Sequence, residues 1–260
     1  SRKQKKLTNH MLVQDQYTLI TGASSGIGRE AAIDLSRECK LILHGRSLER
    51  LEETRSMCRS DKHIIWCCDF GSKISISKDL SELLGQHKIV VNNFIHCAGM
   101  VTVLNARNIT KVISDKIMSV NFSSAIEITS VLLKKKVNKG QLKNIIFISS
   151  IWSKYGAKGY TLYCASKAAL DSAMRALSIE LSPAIRVNSI LLGAVHTPMS
   201  ENSFLDDEIV KNINKQYPLG IGKPEDAASM IKFLLSSKSR WMTGQQIILD
   251  GGRSINMSSK

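Results

Sequence analysis

Seven short apolar runs punctuate the chain: Gln16–Ile20, Lys40–His44, Ile64–Cys68, a run closing at His96, Ile145–Ile148, Ile185–Leu191 and Gln246–Leu249. Each reads as a strand, and the run Ile145–Ile148, β-branched and aromatic without polar interruption, predicts a strand buried on both faces. Between them apolar residues recur at helical spacing. Ile27, Ala31, Ala32 and Leu35 share one face, Ser47 to Met57 reads as a second helix, and residues 73 to 86 carry Ile74, Leu80, Leu83 and Leu84. Ser123 to Val137, the segment through Tyr163 and Lys167, and a stretch opened by Pro224-Glu225-Asp226 continue the series. Strand and helix alternating in this way predict an α/β fold, a doubly wound parallel sheet of about seven strands with helices on both faces.

Two junctions in this pattern carry chemistry. The first strand runs into Thr21-Gly22-Ala23-Ser24-Ser25-Gly26-Ile27-Gly28 and then a helix. Gly22 permits a tight turn, Gly26 lets main chain approach a pyrophosphate, and Gly28 allows the helix to pack closely on the strand. The helix amino end attracts phosphate. The second junction follows Ile145–Ile148, where Ser149 and Ser150 emerge at a strand's carboxyl end, and leads to Tyr163 and Lys167 at i and i+4 on one helix face. A free phenol titrates near ~10, and a neighbouring cation that favours phenolate moves it towards a useful range for proton transfer. A hydroxyl from Ser150 would hold a carbonyl oxygen against that phenol.

Composition narrows the field. With 260 residues, 43% of them hydrophobic, the chain suffices for one substantial core, and no linker or repeat divides it. No apolar run approaches the ~18 to 20 residues that span a bilayer, and the amino end lacks the apolar segment of a signal peptide. Cys39, Cys58, Cys67, Cys68, Cys97 and Cys164 show no metal-ligand spacing, so no metal is expected and buried free thiols in a cytoplasmic protein are. The formal charge is +14, but four positive charges fall in the decapeptide 1–10, read first as a disordered tail, then as an appended remnant, then as a nucleic-acid arm. Lys134-Lys135-Lys136 has no interleaved aromatics and reads as a solvated helix end, so neither a nucleic acid nor a membrane is expected as partner.

The segment TGASSGIG at 21–28 and YCASK at 163–167, with Ser150 thirteen residues before Tyr163, resemble the short, single-domain branch of the short-chain dehydrogenase/reductase family. The resemblance covers nearly all of residues 15 to 252, and places one domain at 11–255 with a substrate lid at about 199–217. It implies a catalytic tetrad of Asn121, Ser150, Tyr163 and Lys167, in which the Asn121 side chain positions a water that links the lysine to solvent. It further implies that a nicotinamide dinucleotide lies on Gly22, Ser24, Ser25, Gly26, Ile27 and Gly28. Asp69, with Phe70, would meet the adenine, while Cys97, Ala98 and Gly99 allow close approach. Tyr163 and Lys167 would hold the nicotinamide ribose, and Val195 and Thr197 would contact the carboxamide and phosphates. Where an acidic residue would bind the adenosine ribose this chain has Gly45 followed by Arg46, a guanidinium suited to a 2′-phosphate. NADP(H) is therefore expected ahead of NAD(H).

The chain departs from the family pattern at His96-Cys97, where Asn-Asn is usual, and at Leu192, where proline is usual. His96 reads as a satisfied core histidine, and Asn92-Asn93 as a decoy lying before the fourth strand. The resemblance implies carbonyl–alcohol interconversion by hydride transfer with Tyr163 as general acid/base, and a homotetramer or dimer packed through the helix Ser123 to Val137 and the Tyr163 helix. A 3-oxoacyl thioester, free or carried by an acidic protein, is the expected substrate; sugars, steroids and small ketones are the alternatives. Trp152, Tyr155 and Tyr160 are expected around the substrate. A non-catalytic dinucleotide-binding regulator is a remote alternative, and an epimerase or dehydratase of the longer branch is disfavoured by length and glycine spacing.

Overall fold

In a computed structural model, residues 17–60, 62–72, 75–200 and 207–257 are described. The decapeptide and part of the expected lid lie outside them. Seven strands, β1 Tyr17–Thr21, β2 Lys40–Gly45, β3 Ile64–Cys67, β4 Val91–His96, β5 Asn144–Ser150, β6 Arg186–Leu192 and β7 Gln246–Leu249, form one sheet in the order β3-β2-β1-β4-β5-β6-β7. Every pairing is parallel. Because each strand returns through a crossover, helices cover both faces. One face packs under α1 Gly26–Leu35, α2 Leu48–Met57 and α9 Pro224–Leu235, around Ile20, Leu41, Leu43, Ile146, Ile190 and Leu192. The other lies under α3 Ile76–His87, α5 Ser124–Leu133 and α7 Thr161–Glu180, around Leu19, Phe94, Ile145, Phe147 and Val187. Alternate residues of β5 thus enter opposite cores, which is why that strand reads as continuously apolar.

Three expectations are corrected. Asn92 and Asn93 lie inside β4, not before it. The Asn93 amide is met across the sheet, Nδ2 donating to Thr18 Oγ1 at 3.1 Å and Oδ1 accepting from Asn144 Nδ2 at 2.7 Å, while Asn92 Nδ2 donates to Gln141 O at 3.1 Å and its Oδ1 has no partner among the described residues. Polar residues can open a buried strand when neighbours meet them in this way. The helix expected over 73–86 starts at Ile76, where the Ser75 side chain accepts from Lys78 N. The helix expected over Ser123 to Val137 is three pieces: a π-turn Ser119–Ser123 that follows α4 Lys111–Met118, then α5, then α6 Lys135–Asn138. The break at Lys134 lets buried Asn138 pair both its amide atoms with the main chain of Val91.

The expected helix after residue 199 is present in part as α8, Asp207–Gln216. No helix among the described residues is long and apolar enough to cross a membrane.

Candidate active site

Strand order reverses direction between β1 and β4, and the carboxyl ends of these strands open a crevice. Gly22 turns the chain out of β1 with φ +68°, and a Cβ there would stand 2.8 Å from Ala98 N. At Gly28 a Cβ would stand 2.3 Å from Gly22 O, so α1 begins in direct contact with the turn. The Ser25 side chain makes no capping bond, which leaves the first amides of α1 open to an anion. They face a cavity of about 440 Å³.

Gly22 and the run Ser24 to Gly28 line this cavity, with Arg46, Asp69, Phe70, Cys97, Ala98, Gly99 and Thr197. Val195 instead lines the adjoining cavity. Asp69 also caps the turn after β3, its Oδ1 accepting from Gly71 N at 2.9 Å. Arg50, in the first turn of α2, lines the same cavity as Arg46, which stands before the Ser47 cap. The sequence reading did not single it out.

A second cavity, about 300 Å³, shares Ile27, Cys97, Gly99, Val101, Thr197 and Met199 with the first. Its walls bring together Ser150 from the end of β5 and Tyr163 and Lys167 from α7, beside Trp152 and Tyr160. Tyr155 is not among them. It continues the turn begun at Ile151, its N–H bonded to Ile151 O, and is 45% exposed. Met199, Ile213, Gln216, Tyr217 and Arg253 also line it, none of them singled out by residue in the sequence.

Ser150 Oγ accepts from Trp152 N at 3.2 Å, which fixes the hydroxyl at the strand end. The expected lowering of the Tyr163 phenol by its lysine neighbour is not what the structure has: burial pushes it up to about 12, with the facing Ser150 hydroxyl, not Lys167, acting the other way. Lys167 donates to Ile148 O at 2.9 Å, and its Nζ lies 5.8 Å from the centre of the Tyr163 ring. Burial brings this ammonium down to about 8, against the pull of Asp171 one helical turn further on. Asp171 escaped the sequence reading; its only signal was its i+4 place after Lys167. Asn121 sits in the π-turn, fully buried, where Oδ1 accepts from Met100 N at 2.8 Å and Nδ2 donates to Met100 O and Ser166 Oγ, each at 2.9 Å. Its side chain therefore braces the loop after β4 against α7. A Cβ built at Gly99 would lie 3.5 Å from Lys167 Nζ and 3.7 Å from Asn121 Oδ1, so both atoms converge beside that glycine.

The departures from the family pattern acquire physical detail. The expected satisfied histidine is only half satisfied. His96 Nδ1 meets Thr21 Oγ1 at 2.9 Å, while Nε2 faces the main chain of Val120 and Asn121 with no hydrogen bond among the described residues. Because Thr21 Oγ1 accepts from Ala98 N, its proton is available to His96 Nδ1. Cys97 lines both cavities, its thiol pushed up to about 12 by burial; among the six cysteines, all free, only Cys68 is fully buried and Cys67 is exposed. The loop after Leu192 is tied without proline: Gly193 N donates to Leu249 O, Ala194 N donates to Tyr217 Oη at 2.9 Å, and Ser200 Oγ donates to Val195 O at 2.7 Å.

Comparison with known proteins agrees with this geometry. Residues 22–254 match a family model described as enoyl-(acyl carrier protein) reductase. The chain is 29% identical to L-rhamnose 1-dehydrogenase (NAD(P)(+)) of Azotobacter vinelandii, over 95% of this chain and 100% of that protein. It is 32% identical to the 3-oxoacyl-[acyl-carrier-protein] reductase FabG of Rickettsia prowazekii, over 90% and 95%. Among solved structures, 4-hydroxyisoleucine dehydrogenase complexed with NADH superposes with a TM-score of 0.85 at 24% identity, covering 93% of this chain and 99% of that one. A short-chain type dehydrogenase/reductase from Mycobacterium ulcerans gives 0.83 at 24% identity, covering 94% and 91%. The chain belongs to the short-chain dehydrogenase/reductase family and is an oxidoreductase that acts on alcohol and carbonyl groups.

Proposed function

We propose that this protein is an NADP(H)-dependent reductase or dehydrogenase that interconverts a carbonyl and a secondary alcohol, with Tyr163 as general acid and base. The observation that carries the reading is the meeting of Ser150, Tyr163 and Lys167 in the wall of one cavity that adjoins the glycine-turn cavity. The first cavity fits a dinucleotide: its glycine turn has no room for a Cβ at Gly28, and the α1 amides face it. Arg46 and Arg50 would hold a 2′-phosphate at the rim, which favours NADP(H) over NAD(H). Asp69 and Phe70 would border the adenine, Ala98 and Gly99 the middle, and Val195 and Thr197 the nicotinamide end. A bound nicotinamide supplies or accepts the hydride.

In the reducing direction the Ser150 hydroxyl donates to the carbonyl oxygen and holds it beside Tyr163. A phenol pushed up to about 12 carries its proton at neutral pH, the state a proton donor needs. Lys167, down to about 8, is still mostly an ammonium there and would stabilise the phenolate left behind. With three hydrogen bonds already committed, Asn121 would serve the relay through the remaining lone pair of Oδ1.

The substrate reading places a 3-oxoacyl thioester first. Trp152, Ile213 and Met199 give the cavity apolar wall, and FabG proteins are among the relatives. The exposed cluster Lys134 to Lys136 would suit an acidic carrier. A sugar stands second, on the resemblance to L-rhamnose 1-dehydrogenase and L-xylulose reductase. Residues 11–255 are read as one domain, residues 199–217 as its lid and residues 1–10 as a tail. Six free cysteines support a cytoplasmic setting. A homo-oligomer is supported by exposed apolar side chains, with Trp241 at 90% and Ile255 at 80%.

Titration calorimetry with NADPH and NADH, followed by NADPH oxidation against acyl thioesters, sugars and small ketones, tests the reading. Arg46→Ala should weaken NADPH binding by ~10- to 100-fold and leave NADH binding nearly unchanged. Equal affinity of the protein for the two cofactors would sink the argument from Arg46.

A further inference from the structure

Arg253 has no role in the chemistry above, yet it lines the cavity that holds Ser150, Tyr163 and Lys167. It is half-buried and lies within electrostatic range of the Tyr217 phenol, yet its guanidinium makes no side-chain hydrogen bond or ion pair among the described residues. Other half-buried arginines differ. Arg186 donates to the carbonyls of Leu234, Ser239 and Met242, and Arg29 donates to Ser24 O, Thr54 and Glu53. A guanidinium whose five donors are left by the described residues facing a cavity is available to a planar anionic ligand.

The segment that presents Arg253 is stiff. Asp250 spends both carboxylate oxygens on main chain, Oδ1 accepting from Gly252 N at 3.0 Å and Oδ2 from Ser254 N at 2.7 Å. Gly251 and Gly252 hold φ of +57° and +84°, and Arg253 opens a 3-10 turn, Arg253–Ile255. Asp250 thus fixes the turn and leaves the guanidinium uncommitted. Among the described residues that line the cavity the only charged side chains are Lys167 and Arg253, and none is a carboxylate. Tyr163 and Arg253 both line this one cavity of about 300 Å³, so an occupant held at Tyr163 can extend towards Arg253.

We propose that Arg253 is a specificity-determining residue, and that the substrate is an oxo acid, or the matching hydroxy acid, whose carboxylate is gripped by its guanidinium. The inference rests on reading the second cavity as the substrate site. It narrows that reading: a 3-oxoacyl thioester, whose own carboxyl is masked, would meet Arg253 only through a second carboxylate further along its chain, whereas a free oxo acid or an acidic sugar meets it directly. A planar fork of donors matches a carboxylate bidentately, and its fixed place relative to Tyr163 would set which carbonyl along the substrate is reduced.

The test compares 3-oxobutanoate, 4-oxopentanoate and 5-oxohexanoate with their methyl esters. Two quantities are read: binding by calorimetry in the presence of NADPH, and kcat/KM for NADPH oxidation. The wild-type protein should prefer at least one acid over its ester by ~10-fold or more. Arg253→Gln should reduce kcat/KM for that acid by ~100-fold, mainly through KM, and bring the acid-to-ester ratio within ~3-fold of unity. Arg253→Lys, which keeps charge but loses the fork, should fall between. Esters turned over as well as acids, no acid bound, or a ratio unchanged in a folded Arg253→Gln, would each overturn the proposal. An acid that binds wild type but not Arg253→Gln, with no NADPH oxidised, would support Arg253 while defeating the hydride-transfer reading.

Discussion

Lys167 is 4% exposed and lies 5.8 Å from the Tyr163 ring centre, so its charge is supported by what else is buried near it. Asp171 is 1% exposed on the same face of α7, and neither carboxylate oxygen has a hydrogen-bond partner among the described residues. Ser149 and Ser189 point from β5 and β6 towards the same layer, with their hydroxyls equally unmatched. The carboxylate pulls the lysine upward while burial takes it from 10.5 down to about 8. Asp171→Asn removes that pull, so the ammonium should be lost at a lower pH. If activity needs the ammonium, the basic limb of the kcat/KM profile should move towards acid, and activity at pH 7.5 should fall by ~10-fold. A limb that stays in place in a folded variant would make Asp171 a packing residue only. Sequence spacing exposed Tyr163, Lys167 and Ser150 because their motif is local. Asp171 and Arg253 were not legible in the same way, since a lone charge in a helix or loop says nothing until the fold shows what surrounds it.

At the scale of elements, the contact of α1 with the glycine turn is the tightest demand on sequence. Gly28→Ala would drive a methyl to 2.3 Å from Gly22 O, a main-chain atom that cannot swing aside. A loss of about 2 kcal/mol is expected, within the usual range for overpacking, together with weaker dinucleotide binding. Gly85 in α3 is the contrast: no atom lies within 4 Å of its added Cβ, and its φ is not positive. Gly85→Ala should stabilise by about 0.5 kcal/mol through helix propensity and reduced freedom of the unfolded chain. Thermal melts of the two variants should move in opposite directions. A rise for Gly28→Ala would contradict the observed packing. These helix and strand bodies were readable from apolar spacing, but two element ends were not. The amides that open β4 depend on Thr18, Gln141 and Asn144, and the break at Lys134 serves an asparagine that bonds to Val91. Both are settled by partners far away in the chain.

For the molecule as a whole, alternation of strand and helix was sufficient to anticipate one parallel sheet, and the reversal between β1 and β4 determined where ligands would lie. How the crevice divides was not legible, because Cys97, Gly99, Thr197 and Met199 come from separate loops. These residues form the partition between the two cavities and belong to both. A dinucleotide filling the larger chamber would therefore complete the wall of the smaller. That asymmetry orders events in time: the dinucleotide should bind first and depart last. Product-inhibition patterns would register it, with the oxidised dinucleotide competing against the reduced one while the alcohol product competes with neither substrate. Equal competition by both products would mean that the partition is already a complete wall; otherwise each turnover begins and ends with the same molecule at the door.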